Sequence, residues 1–251
     1  MSTSGAQSMS LAELGAAVRQ LRVHDVSPTL SPDMPMFFAH PAPEIKPVTD
    51  HVTHGVATNM LEVFEHTGTH LDAPFHFDPT GLTMDAVPAD ALFLRPFKKF
   101  DLTPSNPQAG EPVDVDELIA AAERGGFMLE DGDVAVLEFG WDRYLPGGSD
   151  ERDPSWWGSN EPGLSGAACD YLATAGISAV ACDTAACDVS LRGGEILAGP
   201  GHAESFLPKG ILILEGLRGL SAVATGGLIA ALPLKIARGT GSPVRVLMLT
   251  E

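Results

Sequence analysis

The sequence is poor in several things. It holds three cysteines in 251 residues, Cys169, Cys182 and Cys187. Three thiols build no even disulfide framework, so they are expected to be reduced, packed as small apolar side chains in a cytoplasmic protein. Cys182 and Cys187 are too far apart in the chain for a CxxC redox motif. Basic side chains are scarce as well: 15 Lys and Arg against 33 Asp and Glu leave a formal charge of −18. So acidic a surface repels phosphate backbones and argues against a nucleic-acid partner. Long apolar runs are missing. None approaches the ~20 residues of a membrane-spanning helix, and the run Ile211–Leu214 is cut at once by Glu215. The opening residues, MSTSGAQSMSLAELG, have neither a basic region nor an apolar stretch, so neither a secretory signal nor a membrane partner is expected.

Apolar residues make up 44% of the chain and charged residues 19%, enough to bury a core and to exclude wholesale disorder. The length suits one domain over residues 1–251. Apolar residues at helical spacing predict helices over Ser10–Leu21, with Ser10 as N-cap, over Asp114–Arg124, with Asp114 or Asp116 near its cap and ended by Gly125-Gly126, and over Leu164–Ala175, capped near Ser165. Short apolar runs predict strands over Val52–Phe64, Phe93–Leu102, Asp133–Phe139, Ile177–Cys182, Gly210–Leu214, Gly227–Ile236 and Val244–Leu249. Tyr144–Gly163 reads as a long loop, and Glu195–Phe206 as helical only in parts. Prolines across 26–48 forbid a helix and predict an extended arm, anchored by Phe37 and Phe38 and suited to embracing a second subunit. Helices alternating with strands give an α/β class with a mixed sheet.

The chemistry concentrates in histidine. Five of the eight histidines lie between His51 and His76, in a stretch containing Glu65-His66-Thr67-Gly68-Thr69-His70-Leu71-Asp72-Ala73-Pro74-Phe75-His76. The pattern is H-x3-H-x-D-x3-H. Two imidazoles and a carboxylate make a ligand set for zinc or manganese with coordination positions left open for water. On a helix His66 and His70 share a face, but Thr-Gly-Thr is a poor helix former. In an extended segment His70 and Asp72 share a face instead, and a tight turn at Gly68 folds His66 back beside them. The structural alternative is a group of hydrogen-bonded surface histidines, and His51 and His54 are read that way. Trp141, Phe37, Phe38 and Phe77 are candidates for stacking on a flat substrate, with core packing as the alternative. Trp156 and Trp157 fit a pocket or an interface equally well.

The longer string HTGTHLDAPFHF resembles the signature of the cyclase family, which holds bacterial kynurenine formamidases and isatin hydrolases. The resemblance covers most of the chain. It includes Ser31-Pro32-Asp33-Met34-Pro35-Met36 with His40-Pro41, Phe139-Gly140-Trp141-Asp142, Pro162-Gly163-Leu164-Ser165, Ile177–Asp188, and His202 followed by Gly210–Leu217. It implies the family's swivelling β/β/α-type fold. It implies metal ligation by His66, His70 and Asp72, completed by His202 and Glu215, with Asp72 able to bridge two ions, and catalysis by His76. One or two divalent ions, Zn2+ or Mn2+, a small-molecule substrate such as an aromatic amide, and a homodimer follow from the same resemblance. The expected reaction is amide C–N hydrolysis, with N-formylkynurenine or a cyclic amide such as isatin as substrate. Lactone hydrolysis or a cyclase or dehydratase reaction is the alternative within the fold, and a non-catalytic binder the alternative outside enzymes. Two positions depart from the family: its serine in "DTxSxD" is Ala186, and its threonine before Gly-Trp is Phe139.

Overall fold

The computed structural model describes residues 9–192, 195–197 and 199–251. Residues 1–8 of the stretch read for a signal, and Ala198 within the stretch read as partly helical, lie outside them. Nine strands form one mixed sheet: β1 (Arg22–Asp25), β2 (His70–Asp72), β3 (Arg95–Asp101), β4 (Val134–Glu138), β5 (Ala179–Cys182), β6 (Leu212–Glu215), β7 (Gly226–Ala231), β8 (Gly241–Pro243) and β9 (Val246–Thr250). Their order is β1-β9-β7-β3-β4-β5-β6-β2-β8. The central four, β3 to β6, are parallel, and every other pairing is antiparallel.

Parallel central strands are covered on both faces, so they read as unbroken apolar runs rather than alternating ones. In β4, Ala135 and Leu137 face one core cluster while Val134 and Val136 face the other. Helices α1 (Leu11–Val18), α2 (Val115–Gly125) and α3 (Gly166–Thr174) begin at their expected caps. Ser10 and Asp114 form capping boxes with Glu13 and Glu117, and the Ser165 hydroxyl accepts from the Ala168 amide. α2 and α3 bury Leu118, Ala121, Ala168, Cys169 and Leu172 on the first face. On the second face the sheet curls over itself: Leu71, Phe97, Val136 and Leu214 meet Ile229, Val246 and Met248 from the β7–β9 flank.

Several expectations about local structure are corrected. Val52–Phe64 is not one strand. Asp50 caps a helical turn at His51–His54, Gly55 ends it at φ 72°, and only Thr58–Glu62 is extended, paired with Glu44–Thr49 in a separate hairpin. The Pro-rich arm therefore ends in a strand, and Phe38 is an exposed residue rather than an anchor. The strand predicted over Gly227–Ile236 stops at Ala231 ahead of Pro233. The loop Tyr144–Gly163 contains a helical turn, Pro154–Trp157, and Gly201–Ser205 forms a π-helical turn. The three cysteines are free and buried. Among the described residues no helix is long and apolar enough to cross a membrane.

Candidate metal centre

The site grows from the register of β2 on β6. His70 pairs with Glu215 and Asp72 with Ile213. Residues two apart share a face, so His70, Asp72 and Glu215 project together on the side of the sheet where Ile213 enters the helix-covered core. The Gly68 turn, at φ 61°, lies just before β2. It brings His66 back so that its Nδ1 lies 2.6 Å from Asp72 Oδ1. A Cβ at Gly241, the β8 partner of Asp72, would sit 2.6 Å from the His66 ring, so only glycine fits there.

Hydrogen bonds fix which ring nitrogen each histidine offers. His70 Nδ1 donates to the Gly68 carbonyl at 2.8 Å, leaving the Nε2 lone pair facing Asp72 Oδ1 at 3.5 Å and Glu215 Oε2 at 3.4 Å. His202, on the π-helical turn, is held by Asp188. That carboxylate accepts from His202 Nδ1 at 3.0 Å, from its backbone amide at 2.9 Å and from Ser190 Oγ at 2.6 Å. The His202 Nε2 lone pair then faces Asp72 Oδ2 at 3.5 Å and Glu215 Oε1 at 3.4 Å. Thr240 gives its hydroxyl proton to Glu65 at 2.6 Å, so it accepts from His66 Nε2 at 2.9 Å. His66 then carries a proton on Nδ1 as well, donated to Asp72 Oδ1, and the Asp72 carboxylate holds the imidazole's pKa up against burial; a bound ion would take that proton's place.

Imidazole lone pairs and two carboxylates thus face one another in a buried space; His66, His70, Asp72, His202 and Glu215 are all buried. The neighbouring carboxylates hold His66 and His202 above the usual imidazole range against burial, and a divalent cation would replace the protons that otherwise balance the set. Burial, reinforced by the Asp72 carboxylate, pushes the Glu215 carboxyl above its ordinary range. The separations agree with a shared ion. Donor atoms about 2.1 Å from a tetrahedral ion lie about 3.4 Å from one another, which is the 3.4–3.5 Å spacing found here and too long for hydrogen bonds. Ligand atoms of His70, Asp72 and Glu215 lie within 4.8 Å of one another, as do those of His66, Asp72 and His76. Asp72 belongs to both groups.

His76 follows Pro74 on a 3-10 turn and stacks on His66 at 4.0 Å between centroids. Burial, aided by the neighbouring imidazoles and opposed by Asp72, holds its pKa down to about 4, so it is neutral at pH 7. His40 is likewise lowered to about 4 by burial and donates from Nδ1 to the His66 carbonyl at 3.1 Å. Two cavities of about 210 Å³ each open on the centre. One holds His76, Phe77, His202 and Glu215 on its wall. The other is walled by Met34, Met36, Phe37, Leu145 and Trp157 and reaches His66 and His70.

The aromatic expectations divide. Phe37 lines both cavities, and Phe77 lines one. Phe38 lies on neither wall and is 43% exposed. Trp141 is a correction: it is 1% exposed, stacks on Trp156 at 5.8 Å and belongs to the core. The turn carrying it is fixed by Asp183, which accepts the Phe139 and Trp141 amides at 2.8 and 2.9 Å. Trp157 takes the cavity wall in its place. Sequence reasoning assigned no role to Asp188, Thr240 or Glu161. The Glu161 carboxylate accepts the amides of Ala185 and Ala186 at 2.7 and 3.0 Å, and so shapes the loop lining both cavities.

A family profile described as putative cyclase matches residues 24–189. The chain belongs to that family. An isatin hydrolase from Roseibium aggregatum is 28% identical over 258 residues, covering 95% of this chain and 96% of the relative. A kynurenine formamidase from Salinibacter ruber is 32% identical over 195 residues, covering 77% of this chain and 80% of the relative. Among solved structures, isatin hydrolase A from Ralstonia solanacearum superposes with a TM-score of 0.80 at 26% identity over the whole of both chains. An isatin hydrolase bound to the product analogue thioisatinate gives 0.80 at 26% identity, over 96% of this chain and 97% of that one. The curled mixed sheet is the fold of those enzymes.

Proposed function

We propose that this cyclase-family protein is a metal-dependent hydrolase of an aromatic amide C–N bond, acting on a formamide or a cyclic amide. The observation that carries it is the buried convergence of His70, Asp72, His202 and Glu215, with lone pairs and carboxylates facing inward. Relatives that hydrolyse isatin and formylated kynurenine supply the reaction class.

In this reading His66, His70, Asp72, His202 and Glu215 hold one or two divalent ions, zinc or manganese. Such an ion supplies Lewis acidity, lowering the pKa of water from about 15.7 towards about 7 and polarising a carbonyl. Asp188, Thr240 and the Gly68 carbonyl keep the imidazoles in their ligating tautomers. His76, neutral and beside the centre, takes a proton from the attacking water and returns it to the leaving nitrogen. The cavity between Met34, Phe37 and Trp157 receives the aromatic ring and excludes solvent. Water adds across the C–N bond, giving a carboxylate and an amine.

The test is product mass. N-formylkynurenine should give kynurenine and formate, or isatin should give its ring-opened acid, heavier by one water. Isomerised or dehydrated products would instead support the cyclase or dehydratase alternative, and metal binding without turnover the non-catalytic one. A homodimer and a cytoplasmic location belong to the same reading. The dimer rests on the hairpin Glu44–Thr49 with Thr58–Glu62, most of whose residues are exposed, and a monomeric mass in solution would overturn it.

A further inference from the structure

Arg218 stands three residues beyond Glu215, on the wall of the cavity that reaches His66 and His70. The chain has 33 acidic side chains and only 15 Lys and Arg. In such a chain an arginine facing a cavity has acidic partners in excess, yet the ion pairs among the described residues leave Arg218 without one. Its guanidinium is tethered instead by one bond, from Nη2 to the Pro146 carbonyl at 2.8 Å. Its backbone is held by the amide's bond to the Val26 carbonyl at 2.8 Å. Five N–H donors, one of them used, leave a tethered cation with most of its fork unspent. The rest of that wall is largely apolar, from Met34, Phe37, Leu145, Pro146 and Trp157.

We propose that Arg218 reads a carboxylate on the substrate, so that the cavity selects an aromatic amide bearing a carboxylate tail over a neutral one. The inference rests on the amide-hydrolase reading and names its substrate class. An arginine of intermediate exposure, its guanidinium reaching solvent beside apolar walls, suits a planar, bidentate anion at the end of an aromatic body. The wall's one acidic side chain besides, Asp33, is solvent-exposed. It fits an ammonium on the same tail, which makes an amino-acid tail the form that engages both. Arg218 is a specificity residue here: it binds the tail and takes no part in the bond cleavage.

The experiment compares two formamides that differ only in the tail, N-formylkynurenine and 2-formamidoacetophenone, on the metal-loaded protein. With R218M, kcat/KM for N-formylkynurenine should fall about 10- to 100-fold, mostly through KM. The value for the neutral formamide should stay within about 3-fold, which also shows that the variant is folded. R218K should recover part of the loss. Binding of the product kynurenine should weaken in R218M in step, while 2-aminoacetophenone binds unchanged. Equal losses on both formamides would assign Arg218 a structural role and overturn the proposal, as would no loss on either. Wild-type protein that opens isatin but ignores N-formylkynurenine would overturn the substrate class while leaving amide hydrolysis standing. Failure on all three compounds would overturn both.

Discussion

Replacing Asp188 by Asn separates metal binding from folding more cleanly than removing a ligand does. The carboxylate accepts from Ser190 Oγ and His202 Nδ1 on one oxygen, and from the His202 amide and Nδ1 on the other. An asparagine keeps one acceptor. If its oxygen stays under the backbone amide, its NH2 faces Ser190, whose hydroxyl rotates to accept, and His202 Nδ1. The imidazole answers by moving its proton to Nε2, the atom that faces Asp72 and Glu215. A buried charge is lost along with a hydrogen bond, so the metal-free protein should change by only about 1 kcal/mol. Metal affinity should fall about 10- to 100-fold, as for other partners that orient a ligating histidine. That removes about 1.4–2.7 kcal/mol of metal-linked stability at saturating ion. For a domain of this size the metal-induced rise in Tm should therefore shrink by about 3–10 °C. The assay is thermal melting with and without zinc or manganese, beside competition against a chelating dye. A D188N protein with wild-type affinity and an undiminished metal-induced rise would refute the tautomer argument.

Other outcomes follow from single contacts. His76→Ala should bind metal as the wild type does but lose about 10²- to 10⁴-fold in kcat; loss of metal instead would make His76 a ligand. Gly241→Ala pushes a Cβ into the His66 ring, so it should cut metal affinity and activity together, and unchanged activity would contradict that packing. Burial first, then the nearby Asp142 and Glu138, raise the Asp183 carboxyl to about 8 against the bonds it accepts from Phe139 and Trp141. The folded state then keeps a proton that the unfolded chain releases near pH 4. Stability should therefore fall as pH rises from about 4 to about 8 and level off above. Urea denaturation of Asp183→Asn across that range should show a shallower slope, the remainder coming from buried Glu161, whose carboxyl burial also raises; an unchanged slope would place its origin elsewhere.

The parts of the site legible in the sequence were those that sit close together in the chain. His66, His70, Asp72 and His76 occupy eleven residues, and the Gly68 turn and the period-two alternation of β2 were enough to suggest how they meet. His202 and Glu215 carry no local signal and entered only through the family resemblance. Asp188 lies 14 residues from His202, and Thr240 lies 174 from His66. Both act through hydrogen bonds that exist only once the π-helical turn and β8 are in place. Trp141 misled because its burial depends on Trp156 stacking over it, which no spacing rule foretells. In the fold, the caps at Ser10, Asp114 and Ser165 and the buried runs of β4 and β5 were readable because they are local or uniform in character. β1 and β8 were not. β8 has three residues, Gly-Ser-Pro, without β propensity, and among the described residues β2 alone gives it a partner.

The central claim is that a divalent ion held by the inward-facing histidines and carboxylates makes this chain an amide hydrolase. The most direct measurement is to strip the protein of metal, then titrate zinc or manganese back while following hydrolysis of N-formylkynurenine and of isatin. Activity on at least one of them should be absent at the start. It should rise in proportion to bound ion, and stop rising when one or two ions per chain are held. Full activity in the stripped protein, or a fully loaded protein that cleaves neither amide, would contradict the account.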